Sequence, residues 1–187
     1  LYVFENDKIK DILNKEIKKK KIKIIQKSIN QLRDLDGYDL KVLCLGRNSK
    51  IYQNVIKSRS IEKDYKEMAL TGYVKHNTKN INTSQFFLKE GPLAILPFSK
   101  NNFSFVWSVK KGFVTENIAS TIKSKICEIL KVKNINITNI QTYPLTLNLK
   151  RTYYKSDVLI LGEGLHTIHP VAGQGFNLVL RDIKKLT

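Results

Sequence analysis

The chain has 187 residues and a formal net charge of +17, from 33 Lys or Arg against 16 Asp or Glu. An apolar fraction of 42% allows a real core, the length suits one ordinary domain or part of a larger protein, and no apolar run nears the roughly 20 residues of a membrane-spanning helix. Two widely separated cysteines, Cys44 and Cys127, lie in apolar stretches, which does not indicate a disulfide framework and reads as buried thiols in a reducing compartment. No signal peptide is visible, the chain begins at Leu1, and cytoplasmic placement is expected.

Asn6 to Lys19 carries an apolar stripe at Ile9, Ile12, Leu13 and Ile17, with Asn6 or Asp7 available as cap, and predicts a helix. Ile22 to Ile25, and Ile29 with Leu32, suggest two short strands, and Asp36-Gly37 is a hairpin turn signal. Leu40 to Leu45 is an apolar strand ending at Gly46-Arg47-Asn48-Ser49, where Ser49 can cap a short helix begun by Ile51, Val55 and Ile56. From Lys66 the pattern becomes strand-rich. Met68, Leu70, Gly72 and Val74 alternate with their neighbours, and Gln85–Leu88, Pro92–Phe98 and Phe103–Val109 follow at hairpin spacing, which predicts an antiparallel sheet. Thr115 to Lys131 predicts a helix, followed by strands over Ile135–Thr142 and Leu145–Leu149. The composition shifts near Asp64 and again near Tyr153 mark domain changes. His76, beside a polar loop, is expected to be solvated.

The last stretch is the most informative. Val158 to Leu161 is an apolar run for one buried strand, Gly162-Glu163-Gly164 brackets an acid, and a loop closes with Pro170 and Gly173-Gln174-Gly175. Phe176, Val179, Leu180 and Ile183 then fall on one helix face. A helix N-terminus offers unpaired amides and partial positive charge, and glycines there admit a ligand close to the backbone. It therefore suits an anion or an electron-rich edge. Glu163, at a strand end, can accept hydrogen bonds from ligand hydroxyls.

Residues Gly162 to Asp182 resemble the second flavin motif of FAD-dependent aromatic-ring hydroxylases. They are most similar to the ubiquinone-biosynthesis subfamily, whose version reads Gly-Asp-Ala-Ala-His, then Pro-x-Ala-Gly-Gln-Gly-x-Asn-x-Gly-x-Arg-Asp. Gly91-Pro92-Leu93-Ala94-Ile95-Leu96-Pro97, Val106-Trp107-Ser108 and Tyr143-Pro144-Leu145 fit the same subfamily. The resemblance implies an α/β fold: a partial FAD-binding, Rossmann-like domain over residues 1–63, an inserted antiparallel substrate sheet over 64–152, and a return to the FAD-binding domain over 153–187. The sequence holds no G-x-G-x-x-G fingerprint, so the opening βαβ unit of such a fold is expected to precede Leu1.

By resemblance the cofactor-binding residues are Gly162, Glu163, Pro170, Ala172, Gly173, Gln174, Gly175, Phe176 and Asn177. The loop backbone would donate to the pyrimidine end of the flavin, and Glu163 would replace the Asp that binds ribityl or ribose hydroxyls. Gly164-Leu165 stands where the family has Ala-Ala, and Leu45 stands where it has an Asp near the cofactor phosphates. The implied activity is hydroxylation of a polyprenyl phenol in ubiquinone biosynthesis. FAD is the cofactor, NAD(P)H the reductant and a flavin hydroperoxide the oxidant, and no side chain need act as a catalytic acid or base. Implied partners are the polyprenyl phenol, a quinone-biosynthesis complex and peripheral contact with the inner membrane. The positive charge suits anionic lipid. Nucleic acid is not expected, because basic and aromatic residues are not interleaved as stacking requires.

A non-catalytic partner in a quinone-synthesis assembly would also accommodate Leu45 and Glu163, and a basic nucleic-acid-binding module would accommodate the charge. His166 and His169 are three apart without a completing ligand set, so a structural hydrogen bond is expected for His166 and no metal. Arg181-Asp182 reads as an ion pair tying the helix to its neighbours. Phe103, Phe105 and Trp107 share one strand face, which serves either core packing or a pocket for an aromatic ring.

Overall fold

The computed structural model describes residues 5–46, 49–52, 60–78, 80–113, 117–169 and 173–186. Its elements in chain order are α1 (Asn6–Lys19), β1 (Lys41–Leu43), β2 (Ser60–His76), β3 (Ser84–Leu88), β4 (Gly91–Ser99), β5 (Asn102–Lys110), α2 (Ile118–Leu130), β6 (Ile135–Lys150), β7 (Tyr154–Lys155), β8 (Val158–Ile160), β9 (His166–Thr167) and α3 (Gln174–Leu186). They form two compact units: Leu1–Ile25 with Glu67–Pro144, and Gln26–Lys66 with Leu145–Thr187. The chain passes from one unit to the other after Ile25, and again within β2 and within β6. The predicted helix residues Val55 and Ile56, the Arg47-Asn48 turn and the Thr115 cap lie outside the described residues.

The first unit is built on an antiparallel sheet, with β4, β5 and β2 adjacent. Register brings Leu70, Trp107 and Leu93 into one row, and Gly72, Phe105 and Ile95 into the next. Alternate residues of a strand share a face, so one face of β5 carries Phe103, Phe105 and Trp107, all fully buried. Ile122 and Ile126 of α2 join the same core. The three aromatic residues are thus core, and the indole N–H of Trp107 donates to the Gly91 carbonyl at 3.3 Å. β4 carries Pro97 in its interior, opposite Phe103, and the ladder shifts register between Pro97 and Ser99. A bulge there fits a residue with no N–H to donate.

His76 is not solvated. β2 runs past Val74, and positions 70, 72, 74 and 76 face the core in turn, so His76 is 3% exposed against the Phe103 ring. Its backbone N–H donates to the Asn101 carbonyl, while both ring nitrogens are buried and have no hydrogen-bond partner among the described residues.

In the second unit β1 pairs in parallel with β8, Leu43 opposite Ile160, and β7 closes the other edge of β8 in antiparallel sense. Leu43, Ile51, Tyr52, Val158 and Ile160 form its core, with Ile29, Leu32 and Leu35 packed against them. Three expectations change here. Asp36-Gly37 makes no hairpin, because the neighbour of β1 comes from far along the chain. Ile22 to Ile25 and Ile29 form no strand, and Leu32 reaches the core from a 3-10 turn, Leu32–Leu35. That turn is held by the Asp34 carboxylate, which accepts the Asn30 and Gln31 amides at 2.9 and 3.1 Å. Cys44 lies beyond the end of β1 and is exposed, not buried.

Lys41 and Asp157 fasten the parallel pair. The Lys41 amide donates to the Asp157 carbonyl at 2.7 Å, and its ammonium, on a side chain only 9% exposed, donates to the Asp157 carboxylate. That bond holds the Asp157 carboxyl below its usual range and lifts the Lys41 ammonium above its own. A depressed carboxyl stabilises the fold above the ordinary Asp range and stops doing so as pH falls through its folded pKa. Asp157→Asn is therefore expected to lower the melting temperature at neutral pH and to flatten its decline between about pH 5 and pH 2. Melting curves across an acid series check this, and parallel acid limbs in parent and variant would contradict it.

Candidate functional site

β1 and β8 end side by side, and the Leu161 amide donates to the Leu43 carbonyl at 3.1 Å. The carboxyl ends of parallel strands are where ligands bind in open α/β sheets. Past β8, Gly162 adopts a left-handed φ of +71° and turns the chain into the 3-10 segment Gly162–Gly164. Glu163 is exposed at the tip and Gly164 is buried. The Leu165 amide closes the turn on the Gly162 carbonyl at 2.9 Å, and the Leu165 carbonyl accepts the Lys150 amide. β9 then pairs with the end of β6, His166 opposite Leu149.

α3 returns against this turn: Val179 side-chain atoms lie within 4 Å of where a Cβ on Gly162 would stand. The second fastening is polar. His166 Nε2 lies 2.8 Å from Asp182 Oδ2, with the imidazole side chain 12% exposed. The expected structural hydrogen bond of His166 is present, and Asp182 ties α3 to its neighbour, with His166 as the partner. His169 packs edge-on against Tyr65, ring centroids 5.2 Å apart. No group of three or more His, Cys, Asp or Glu suited to a metal occurs among the described residues.

The start of α3 is open. Gln174, Phe176 and Asn177 are exposed, and among the described residues, chain neighbours and the helix's own backbone aside, no atom lies within 4 Å of a Cβ built on Gly173 or Gly175. Gly173 has a φ of +60°. The first turn carries no acidic side chain to neutralise the positive helix end. Backbone amides with an unobstructed approach, close in sequence to an exposed carboxylate, fit the electron-rich edge and the hydroxyls of a flavin. Pro170 and Ala172 lie outside the described residues. A separate cavity of about 480 Å³ is lined by Leu40, Tyr153, Tyr154 and Leu186 among others. It adjoins the last residue of α3, not the first.

Tyr52 belongs to this region, and no sequence motif marks it. It is 2% exposed, and its hydroxyl accepts the Leu45 amide at 2.7 Å. Burial pushes the phenol pKa up, so it keeps its proton. Leu45, where the resembled motif has an acid, is 46% exposed and apolar. The one signal for Tyr52 in the sequence is its place beside Ile51 at the start of a short helix. No helix among the described residues is long and apolar enough to cross a membrane.

Residues 44–187 match the FAD binding domain family. The chain is 29% identical over 174 residues to the ubiquinone hydroxylase UbiL of Rhodospirillum rubrum, a match covering 82% of this chain and 40% of that protein. It is 31% identical over 116 residues to the 3-demethoxyubiquinol 3-hydroxylase of Escherichia coli, covering 59% of this chain and 29% of that one. Among solved structures it is similar to CmlS, a flavin-dependent halogenase, with a TM-score of 0.74 at 15% identity, over 94% of this chain and 38% of the other. That last likeness is one of fold, mixed α/β with an antiparallel sheet. The chain thus spans 40% or less of the length of these proteins.

Proposed function

We propose, given that this chain belongs to the FAD binding domain family, that it forms the flavin-ring-binding part of an FAD-dependent monooxygenase. The substrate is the aromatic ring of a polyprenyl phenol in ubiquinone synthesis, and NAD(P)H is the reductant. The observation that carries this reading is the open start of α3, with Gly173 and Gly175 unobstructed, Gln174 exposed and Glu163 exposed at the tip of the turn after β8. The names of the relatives, a ubiquinone hydroxylase and a demethoxyubiquinol hydroxylase, support that choice of substrate, and the flavin, when bound, would supply the redox chemistry and activate oxygen.

The chain's own residues bind and orient. Amides of Gln174, Gly175 and Phe176 donate to the electron-rich edge of the ring. Glu163 accepts from ribityl or ribose hydroxyls, and Gly162 and Asn177 shape the rim. Pro170 and Ala172 are assigned to the same loop by resemblance. A phenol with a long apolar tail resides in a membrane, and the net charge of +17 supports peripheral contact with anionic lipid.

The test is titration of the full-length protein with FAD, followed by quenching of flavin fluorescence and by retention of the yellow chromophore on a desalting column. Saturable one-to-one binding is expected, and an unchanged flavin signal would count against the assignment. A second reading, a non-catalytic partner in a quinone-synthesis assembly, is favoured by one observation: apolar Leu45, with its amide already taken by Tyr52. Flavin binding without NAD(P)H oxidation in the presence of a prenylated phenol would select it.

A further inference from the structure

Gly164 has no room for a side chain, and the nearest obstacle is the ring of Tyr52. A Cβ built on it would stand 2.3 Å from Cζ and 2.3 Å from the hydroxyl oxygen of Tyr52. Alanine, which the resembled motif carries at this place, could not sit there without displacing the ring. Nor is the ring free to move. It is packed in the core with Leu43, Ile51, Val158 and Ile160. Its hydroxyl takes the Leu45 amide, and the Lys150 ammonium stands 6.0 Å from the ring centroid.

Glu163 lies between two fixed points. On one side Gly162 turns the backbone out of β8 in the left-handed region; on the other Gly164 rests on the Tyr52 ring. We propose that Tyr52 and Gly164 are a matched pair that sets the acid-bearing turn, making Tyr52 the positioning residue through which Glu163 meets the cofactor's hydroxyls. This rests on the flavin reading above. The pair also accounts for two departures from the resembled motif at once. The phenol occupies the space that a side chain at 164 would use, and its hydroxyl satisfies the amide of the residue that replaces the acid at 45.

The test is FAD affinity, by fluorescence quenching, across a set of variants. Gly164→Ala is expected to weaken FAD about tenfold or more, by displacing the turn. Tyr52→Leu, which opens the space but leaves the turn without its support, should weaken it by a similar factor. The double variant should match Tyr52→Leu to within about threefold instead of multiplying the two losses. Tyr52→Phe, which keeps the ring, should stay within about threefold of the parent, because the turn rests on the ring and not on the hydroxyl.

The decisive comparison is with Glu163→Gln. It should cost about tenfold in the parent, as loss of a charged acceptor does, and almost nothing in the Tyr52→Leu background. A loss from Glu163→Gln that is the same in both backgrounds would overturn the positioning role, as would multiplied losses in the Gly164→Ala/Tyr52→Leu double variant. A parent protein that binds no FAD would instead sink the flavin reading. The melting temperatures of the same proteins then decide the pairing: relief of the Gly164→Ala loss by Tyr52→Leu supports it, and additive shifts overturn it.

Discussion

Gly91→Ala is expected to destabilise the antiparallel unit severely. Gly91 opens β4 after the Lys89-Glu90 turn with a φ of +134°, a backbone region that L side chains rarely adopt. A Cβ there would stand 2.0 Å from the Ser108 carbonyl oxygen, a backbone atom in the middle of the sheet that cannot rotate away. The Gly91 carbonyl also accepts the Trp107 indole, and neighbouring Glu90 pairs with Lys125 of α2 at 3.3 Å. Any shift that relieves the clash therefore disturbs the buried tryptophan and pulls the turn away from the helix. A cost of about 3–5 kcal/mol follows from strain and core disruption together. Against the roughly 5–15 kcal/mol that holds a domain folded, this removes a large share. Gly112→Ala is the control. Among the described residues, its chain neighbours aside, no atom lies within 4 Å of a Cβ there, and its φ is not positive, so a change within about 0.5 kcal/mol is expected. Urea denaturation followed by Trp107 fluorescence reads both, since Trp107 is the chain's one tryptophan. Equal midpoints for Gly91→Ala and the parent would refute the geometry.

The same contrast between local and distant determinants explains what can be read from the sequence. α1 and α2 are legible because their apolar stripes recur at helical spacing. The hairpins β3–β4 and β4–β5 are legible because in each the partner is the next strand in sequence, whereas the pairing of β2 with β5 skips over both. β6 reads as two strands because Pro144 interrupts it. At that point the strand is exposed, so the missing amide leaves no buried carbonyl unpaired and the strand runs on. The pairing of β1 with β8 is not legible. Lys41 and Asp157 are 116 positions apart, and nothing in a short apolar run says that its partner is parallel and distant. His76 departs from expectation for a related reason: the apolar alternation is plain only to Val74, and the next core-facing position happens to hold a histidine. At the candidate site the glycines and Glu163 are legible as a motif. Tyr52 is not, because its partner Gly164 is recognisable only once a missing Cβ can be seen to face a ring.

Gly175→Val is expected to separate binding from stability. Gly175 is the second residue of α3, and a Cβ there meets no atom within 4 Å among the described residues outside its own helix backbone and chain neighbours. Its φ is not in the left-handed region, and valine is a slightly better helix former than glycine, by a few tenths of a kcal/mol. The melting temperature should therefore hold or rise. A ligand that uses the first-turn amides must come within hydrogen-bond distance of the backbone, about 3 Å, at the place two methyl groups would fill. Loss of those donors, with a steric barrier across their approach, is expected to weaken FAD at least about a hundredfold, near 3 kcal/mol. Gly173 is the poorer probe, because its φ of +60° would add strain to any substitution and confuse the two effects. Calorimetric melting paired with FAD titration checks the prediction in one preparation. A variant that melts like the parent and holds FAD equally well would remove α3 from the flavin site, whatever the rest of the protein binds. A variant that loses FAD only by unfolding would show that the space beside Gly175 is not open in solution.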